Sequence, residues 1–342
     1  MVGATIKCCM IVCACCTIHA CSELNDAPPR PVSFTWEVDS SLLQHGPFSA
    51  NVLWGTDTNN IYLGVTNTTS YKSLFRWDGK SWSQVRFPVT GLWSEVYDID
   101  GLDSSYFVAV GGGGIWGHAM VYDRGHWLDL KLPRIREPVT AVEVVSRNEI
   151  YVGGVDGILK YDGRTWTWLL DSTDSKVVGG SFTFWVGAVI KHPDGRLFFT
   201  AKYAGPRETQ RCLWLWNGER FVIIDSTKND IAVARFGAFF SVYQNTLVSA
   251  GAGVYTLSGL TWNRISDHHS QFVATDHARI AVGSWHGIIY CYNDGGWYDV
   301  TPRQLRHLGR AIPVAAVLLP KKFFFVAEVG FKSYIFHGTL DP

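Results

Sequence analysis

One short phrase, written repeatedly along the chain, limits what this sequence can fold into. Residues 74–82 read LFRWDGKSW and residues 158–166 read ILKYDGRTW. Each is an apolar run ending on an aromatic residue, then Asp-Gly, then a second run opening on Trp. Asp-Gly or Asn-Gly between two such runs is a hairpin signal, because Gly adopts the positive φ that a tight turn demands. Weaker copies read MVYDRGHW ending at Trp127, LWLWNGERF ending at Phe221, VYTLSGLTW ending at Trp262 and IYCYNDGGW ending at Trp297. Upstream of each hairpin lie two more short apolar runs joined by a polar turn, as in TAVEVVSRNEIYVGG and AVIKHPDGRLFFTA. Each unit is therefore four short strands in about 35 to 55 residues.

The ends of the chain set the count. After the sixth copy, VAAVLLPKKFFFVAEVGFKSYIFHG supplies three strands and the sequence then stops short of a Trp strand. The missing strand stands at the other end, where FTWEVDS surrounds Trp36. The sequence thus predicts an all-β fold, a seven-bladed β-propeller of four-stranded blades with strands a to d running outward from the axis. The N-terminal strand, residues 32–40, completes the last blade by pairing with the strand around Tyr334 and Phe336, which closes the ring and removes exposed sheet edges. A chain of 342 residues with 47% hydrophobic content, 34 Gly and 15 Trp is suited to many tight turns and aromatic outer strands.

The blade phrase has relatives. IYVGGVDGILKYDGRTWTWL resembles the kelch repeat, in which a double Gly ends strand b, a Tyr-Asp pair ends strand c and a Trp opens strand d. Here those residues are Gly153, Gly154, Tyr161, Asp162 and Trp166. The hairpin also resembles the Asp-box of sialidases, but without a matching arginine signature no sialidase active site is carried over. Both resemblances imply architecture, and architecture does not name a function.

The N-terminus is of another kind. Six of the eight cysteines, Cys8, Cys9, Cys13, Cys15, Cys16 and Cys21, lie in MVGATIKCCMIVCACCTIHACSEL. One Lys, then an apolar run too short for a bilayer span, then small residues, is the plan of a secretory signal. The ending IHAC resembles the lipobox of bacterial lipoproteins, with Ile18 and Ala20 before the cut and Cys21 as the lipidated residue. The resemblance implies residues 1–21 as a signal peptide, residues 22–31 as a flexible Pro-rich tether, and residues 32–342 as the propeller domain, held at the cell envelope outside the cytoplasm through Cys21. Ser22 after that Cys resembles the outer-membrane sorting pattern. A zinc or disulfide cluster is the competing reading of these cysteines, and the run lacks the spaced ligand pairs that either needs. Cys212 and Cys291 fall on c strands of the fourth and sixth blades, too far apart to bridge, and are expected as separate buried thiols.

Lys plus Arg and Asp plus Glu number 30 each. A neutral chain gives no electrostatic reason to expect nucleic acid as a partner. Phosphate-binding loops, dinucleotide fingerprints before a helix and nucleophile elbows are absent from the sequence, and no cofactor is called. A function is therefore sought on the connections. The a–b and c–d turns are short and uniform, whereas the b–c and d–a connections are long and differ in every blade, and loops on a rigid scaffold are where binding residues usually lie. That face carries His45, Trp93, Arg136, Trp185, Arg235, His268, Trp285, His286 and His307 as candidate ligand-binding residues. His118, His269, Trp116, Arg207, Arg306 and Arg310 belong to the same face, with Glu95, Glu137 and Asp156 as acids.

No metal site is called, since neither HxH nor HExxH spacing occurs among these histidines. Trp, Tyr and Arg are the anchors that interfaces use, although a Trp in a propeller more often packs blade to blade. Two function classes follow. The first is a lipid-anchored, monomeric, non-catalytic platform that binds a protein or glycan through the variable face. The alternative is a secreted glycosidase or polysaccharide lyase with an acid or His at the axial mouth, which needs convergent titratable groups in a concave site.

Overall fold

A computed structural model describes residues 31–67, 72–87, 94–113, 115–133, 135–136, 138–171, 183–204, 209–228, 239–330 and 332–342. After β1 (Phe34–Asp39) and a 3₁₀ turn (Ser41–His45), the strands run in antiparallel sets of four. The first set is β2 (Ser49–Asp57), β3 (Asn60–Thr66), β4 (Leu74–Trp77) and β5 (Trp82–Gln84). The next is β6 (Glu95–Asp103), β7 (Tyr106–Gly112), β8 (Gly117–Asp123) and β9 (His126–Asp129). Then come β10 (Val139–Ser146), β11 (Glu149–Gly154), β12 (Gly157–Tyr161) and β13 (Trp166–Asp171), followed by β14 (Thr183–Lys191), β15 (Leu197–Ala204), β16 (Thr209–Trp216) and β17 (Phe221–Lys228). Next are β18 (Phe239–Tyr243), β19 (Thr246–Ala250), β20 (Val254–Ser258) and β21 (Thr261–Ser266), then β22 (Phe272–Thr275), β23 (Ile280–Gly283), β24 (Ile289–Asn293) and β25 (Gly296–Asp299). A short helix, α1 (Arg303–His307), precedes β26 (Ile312–Leu318), β27 (Lys322–Val329) and β28 (Lys332–Leu340).

The sets from β10 to β25 are separate four-stranded sheets in chain order, and a fifth sheet has the order β1-β28-β27-β26. The strands β2 to β9 form one sheet of eight, whose two halves meet at the single pair Thr66–Glu95.

The registers explain why the chain repeats its phrase. The aromatic residue that ends the third strand and the one that opens the fourth are direct cross-strand partners: Trp77 with Trp82, Tyr122 with Trp127, Tyr161 with Trp166, Trp216 with Phe221 and Tyr292 with Trp297. Their ring centroids lie 5.7, 5.2, 5.0, 4.6 and 5.3 Å apart, and each such pair adds roughly 0.5–1.5 kcal/mol beyond its buried area. The Asp between them shapes the turn. Asp78 Oδ1 accepts the Lys80 and Ser81 amides, Asp162 Oδ1 those of Arg164 and Thr165, and Asn217 Oδ1 those of Glu219 and Arg220. Gly79 and Gly163 follow at φ +97° and +93°, where a Cβ would be strained.

Strand alternation gives each sheet two apolar faces, and neighbouring sheets share cores. Phe199, Cys212 and Trp214 pack with Tyr151, Ile158 and Leu170 of the preceding sheet, while Phe198 and Leu213, one residue out of phase, pack with Leu247 and Leu257 of the following one. The last sheet meets the first: Phe324, Val326 and Ile335 share a core with Leu53, Leu63 and Phe75. Outer-strand tryptophans tie sheets together as well, with Trp166 Nε1 donating to Leu130 O at 2.9 Å and Trp297 Nε1 to Ile265 O at 3.2 Å.

The N-terminal strand pairs where the sequence predicts. β1 runs antiparallel to β28 from Phe34 opposite Leu340 to Asp39 opposite Ile335. Trp36 lies over Gly338, where an added Cβ would come within 2.8 Å of the indole. Asp341 fastens the end of the pair, accepting from Ser33 Oγ at 2.6 Å and Thr35 Oγ1 at 2.8 Å. Cys212 on β16 and Cys291 on β24 are free and buried, and burial pushes their thiols up to about 11 and about 12.

Candidate functional site

The first strand of every set, β2, β6, β10, β14, β18, β22 and β26, lines one shared cavity of about 500 Å³. Its wall is held by polar side chains that reach from one first strand to the next. Asn51 Nδ2 donates to Val96 O at 2.8 Å, Thr140 Oγ1 to Val186 O at 2.5 Å and Thr275 Oγ1 to Val242 O at 2.8 Å. Three acids do the same between β6, β10 and β14. Asp98 accepts the Val142 amide at 2.9 Å, Asp100 the Val144 amide at 2.6 Å, and Glu143 the Lys191 amide. Asp98 also accepts the Ile99 amide, and Asp100 the Gly101 amide and the Trp54 side chain.

Burial dominates their chemistry. It raises Asp98 to about 7 and Asp100 to about 6, against the amide bonds that favour the charged form. Glu143 is raised well above the ordinary carboxylate range by burial and by the Asp100 charge beside it. None of these acids is among the residues singled out by the sequence motifs. The signal available was the spacing of Asp98 and Asp100, two residues apart on an innermost strand and therefore on one face. Acids that converge on an axial cavity are what the enzyme alternative requires, yet these carboxylates already bond to backbone amides of neighbouring strands.

The residues named from sequence divide into three groups. Trp93 and Arg235 lie outside the described residues, as do Arg207, Glu137 and all of residues 1–30, Cys21 among them. His45 and His268 are packing residues. The His45 ring lies 5.2 Å from Phe75, with Nδ1 3.5 Å from Lys72 Nζ, and burial together with the Lys72 charge lowers its pKa. His268 stacks on Tyr290 at 3.6 Å and 6° and meets Trp297 edge-on, and burial lowers its pKa too. Both rings lie against aromatic neighbours, while His269 beside His268 is exposed. Among the described residues no three His, Cys, Asp or Glu side chains are grouped to hold a metal ion.

The third group is presented to solvent. Trp285 and His286 are exposed on the turn from β23 to β24, and His307 is exposed at the end of α1. Trp185 opens β14 and Trp116 precedes β8, so the four exposed tryptophans among the described residues are Trp116, Trp185, Trp285 and Trp168, at 40%, 39%, 57% and 38%. The first three belong to the b–c and d–a end of the sheets, and Trp168 to an outermost strand. Trp116 bridges to Arg136, whose guanidinium is fixed by Asp156: Nε donates to Oδ1 at 2.7 Å and the Arg136 amide to Oδ2 at 2.6 Å. That pairing raises the Arg136 pKa and uses up Asp156, one of the acids considered from sequence. Glu95 is likewise engaged, accepting from Tyr97 Oη.

No family model and no curated protein matches the sequence. Solved structures do match. A structure of YCF48 bound to D1 peptide superposes with a TM-score of 0.61 at 11% identity, covering 91% of this chain and 100% of that one. The extracellular domain of the putative one-component system BT4673 from B. thetaiotaomicron gives 0.58 at 13%, covering 89% of this chain and 39% of that one. A chain of the Mitotic Checkpoint Complex gives 0.56 at 14%, covering 92% and 96%. These neighbours are β-propellers, and at such identities the likeness concerns fold alone: this chain has an all-β, β-propeller-type fold of four-stranded antiparallel sheets.

Proposed function

We propose that the chain is a seven-bladed, kelch-like propeller, closed as a ring by its N-terminal strand, and that it works as a protein-interaction platform through its b–c and d–a face. The observation that carries this reading is the placement of Trp116, Trp185 and Trp285, partly solvent-exposed, on one end of the sheets. Interfaces take their anchors from such residues, and the motif tryptophans on the outer strands are instead engaged in cross-strand pairs. The neighbours are compatible with it, since one was solved with a bound peptide and another as part of a complex. A glycan is the second ligand class that an aromatic surface suits. The enzyme alternative gains no specific support, because the axial acids serve as clips between strands.

In the same proposal the signal and tether place the ring outside the cytoplasm as a monomer, through lipid on Cys21. No helix among the described residues is long and apolar enough to cross a membrane.

The test is site-specific photo-cross-linking in the full chain, in its own cells, with the photoreactive residue at position 285 or at position 80 in the Asp78 turn on the opposite face. The expected result is a discrete protein adduct from position 285, lost when Trp116 and Trp185 are replaced by Ala, and none from position 80. Equal adducts from both faces, or none from position 285, would overturn the proposal.

A further inference from the structure

The fourth sheet carries two cations side by side, and among the described residues no acid pairs with either. The registers place Trp185 opposite Lys202 and Lys202 opposite Arg211, so the three side chains form one row on one face of β14, β15 and β16. Alternation fixes which face. Ala201 and Cys212 pack toward β10–β13, so Lys202 and Arg211 share the side of Phe198 and Leu213, toward β18–β21. The row lies at the b–c and d–a end of the sheet, and Trp185 is its exposed member.

Like charges directly opposite each other on neighbouring strands are destabilising. Several other cations meet an acid: Arg136 meets Asp156, Arg147 meets Asp123 at 2.7 Å, Arg196 meets Asp194 at 2.7 Å, and Lys160 and Lys191 share Glu149. Arg211 Nε is buried and has no hydrogen-bond partner among the described residues. Burial lowers the Arg211 pKa, and no acid among the described residues opposes it. A buried guanidinium N–H without a partner is costly, and a planar fork of donors beside a second cation is suited to an oxyanion bound by two parallel bonds.

We propose that Lys202 and Arg211 form an oxyanion site that receives a carboxylate from an acidic segment of the protein partner, with Trp185 as the wall against which the segment's apolar neighbours lie. This rests on the partner-binding reading above. A free inorganic oxyanion shares the chemistry of the charged group but has no use for the aromatic wall.

The test uses the full chain and two probes. One is sulfate exchanged for chloride at constant ionic strength; the other is a capped Glu-Leu-Glu tripeptide beside its Gln-Leu-Gln counterpart. Binding is read as thermal stabilisation and as movement of the 5-fluorotryptophan resonance assigned through Trp185→Phe. The native chain is expected to bind sulfate and the acidic peptide, and the Gln peptide at least tenfold more weakly. Arg211→Met is expected to fold with an unchanged or higher Tm, because it removes an unanswered charge, and to weaken both probes at least tenfold; Lys202→Met is expected to weaken them less. Equal binding by native and Arg211→Met chains, no binding by the native chain, or loss of folding in Arg211→Met would overturn the site. A response to sulfate with none to the acidic peptide would overturn the carboxylate-bearing partner. Failure of cross-linking at position 285 would leave the Arg211 result standing, so the two readings fail separately.

Discussion

Two places in the molecule crowd like charges together, and they resolve the crowding differently. At the axial wall, Asp98, Asp100 and Glu143 lie within reach of one another's fields, and each accepts backbone amides of a neighbouring first strand. In the fourth sheet, Lys202 and Arg211 stand opposite each other, and the buried Nε of Arg211 has no partner among the described residues. The acids are part of the architecture, because each bonds an amide of a neighbouring strand. The cations hold donors in reserve on the face where the sequence varies most. A charge answered from within supports the fold, and one left unanswered next to an exposed Trp is open to a ligand.

The contrast can be broken by mutation. The largest effect is expected from Asp100→Ala, which strips the Val144 amide of its acceptor. A buried amide left unsatisfied costs about 1–3 kcal/mol, so urea unfolding at pH 5 should show a loss of that size, where Arg211→Met shows none or a gain. Asp100→Ala unfolding within about 0.5 kcal/mol of the native chain, the range of an ordinary surface change, would mean that the acids are not clips.

A smaller and more gradual effect is expected from pH. Folded values raised to about 7 for Asp98 and about 6 for Asp100 mean that the folded chain keeps protons the unfolded chain has released. Their stabilising share is complete below the ordinary carboxylate range and is lost as pH rises through 6 and 7. Half-buried histidines with lowered pKa, such as His45 and His268, act in the opposite sense over part of that window, so the comparison is made against a variant. The stability advantage of the native chain over the Asp98→Asn, Asp100→Asn double variant should shrink from pH 5 to pH 8. An advantage that stays constant or grows would remove the buried acids from the account.

Much of the fold was legible because its signals are local. The phrase that ends at Trp82 or Trp166 encodes a turn by its Asp and Gly and a cross-strand aromatic pair by its two rings, all within nine residues. The seam was legible because Trp36 repeats the outer-strand pattern that the C-terminal run lacks. The site was less so. His45 and His268 look like ligands in sequence, and only packing reveals that Phe75 and Tyr290 occupy their faces. Asp98 finds its partner amide in Val142 on another sheet, and the opposition of Lys202 to Arg211 needs a register that spacing alone does not supply.

In the proposed ring the last blade is finished by the first strand of the chain. Its most direct test compares two deletions in the full chain by thermal unfolding: residues 32–39, which hold β1, and residues 22–29, which precede it. Removing β1 is expected to lower Tm by many degrees, because β28 loses its outer partner and Phe323 and Phe325 lose the cover of Trp36. Removing residues 22–29 should leave Tm unchanged, and equal behaviour of the two deletions would contradict the closed ring.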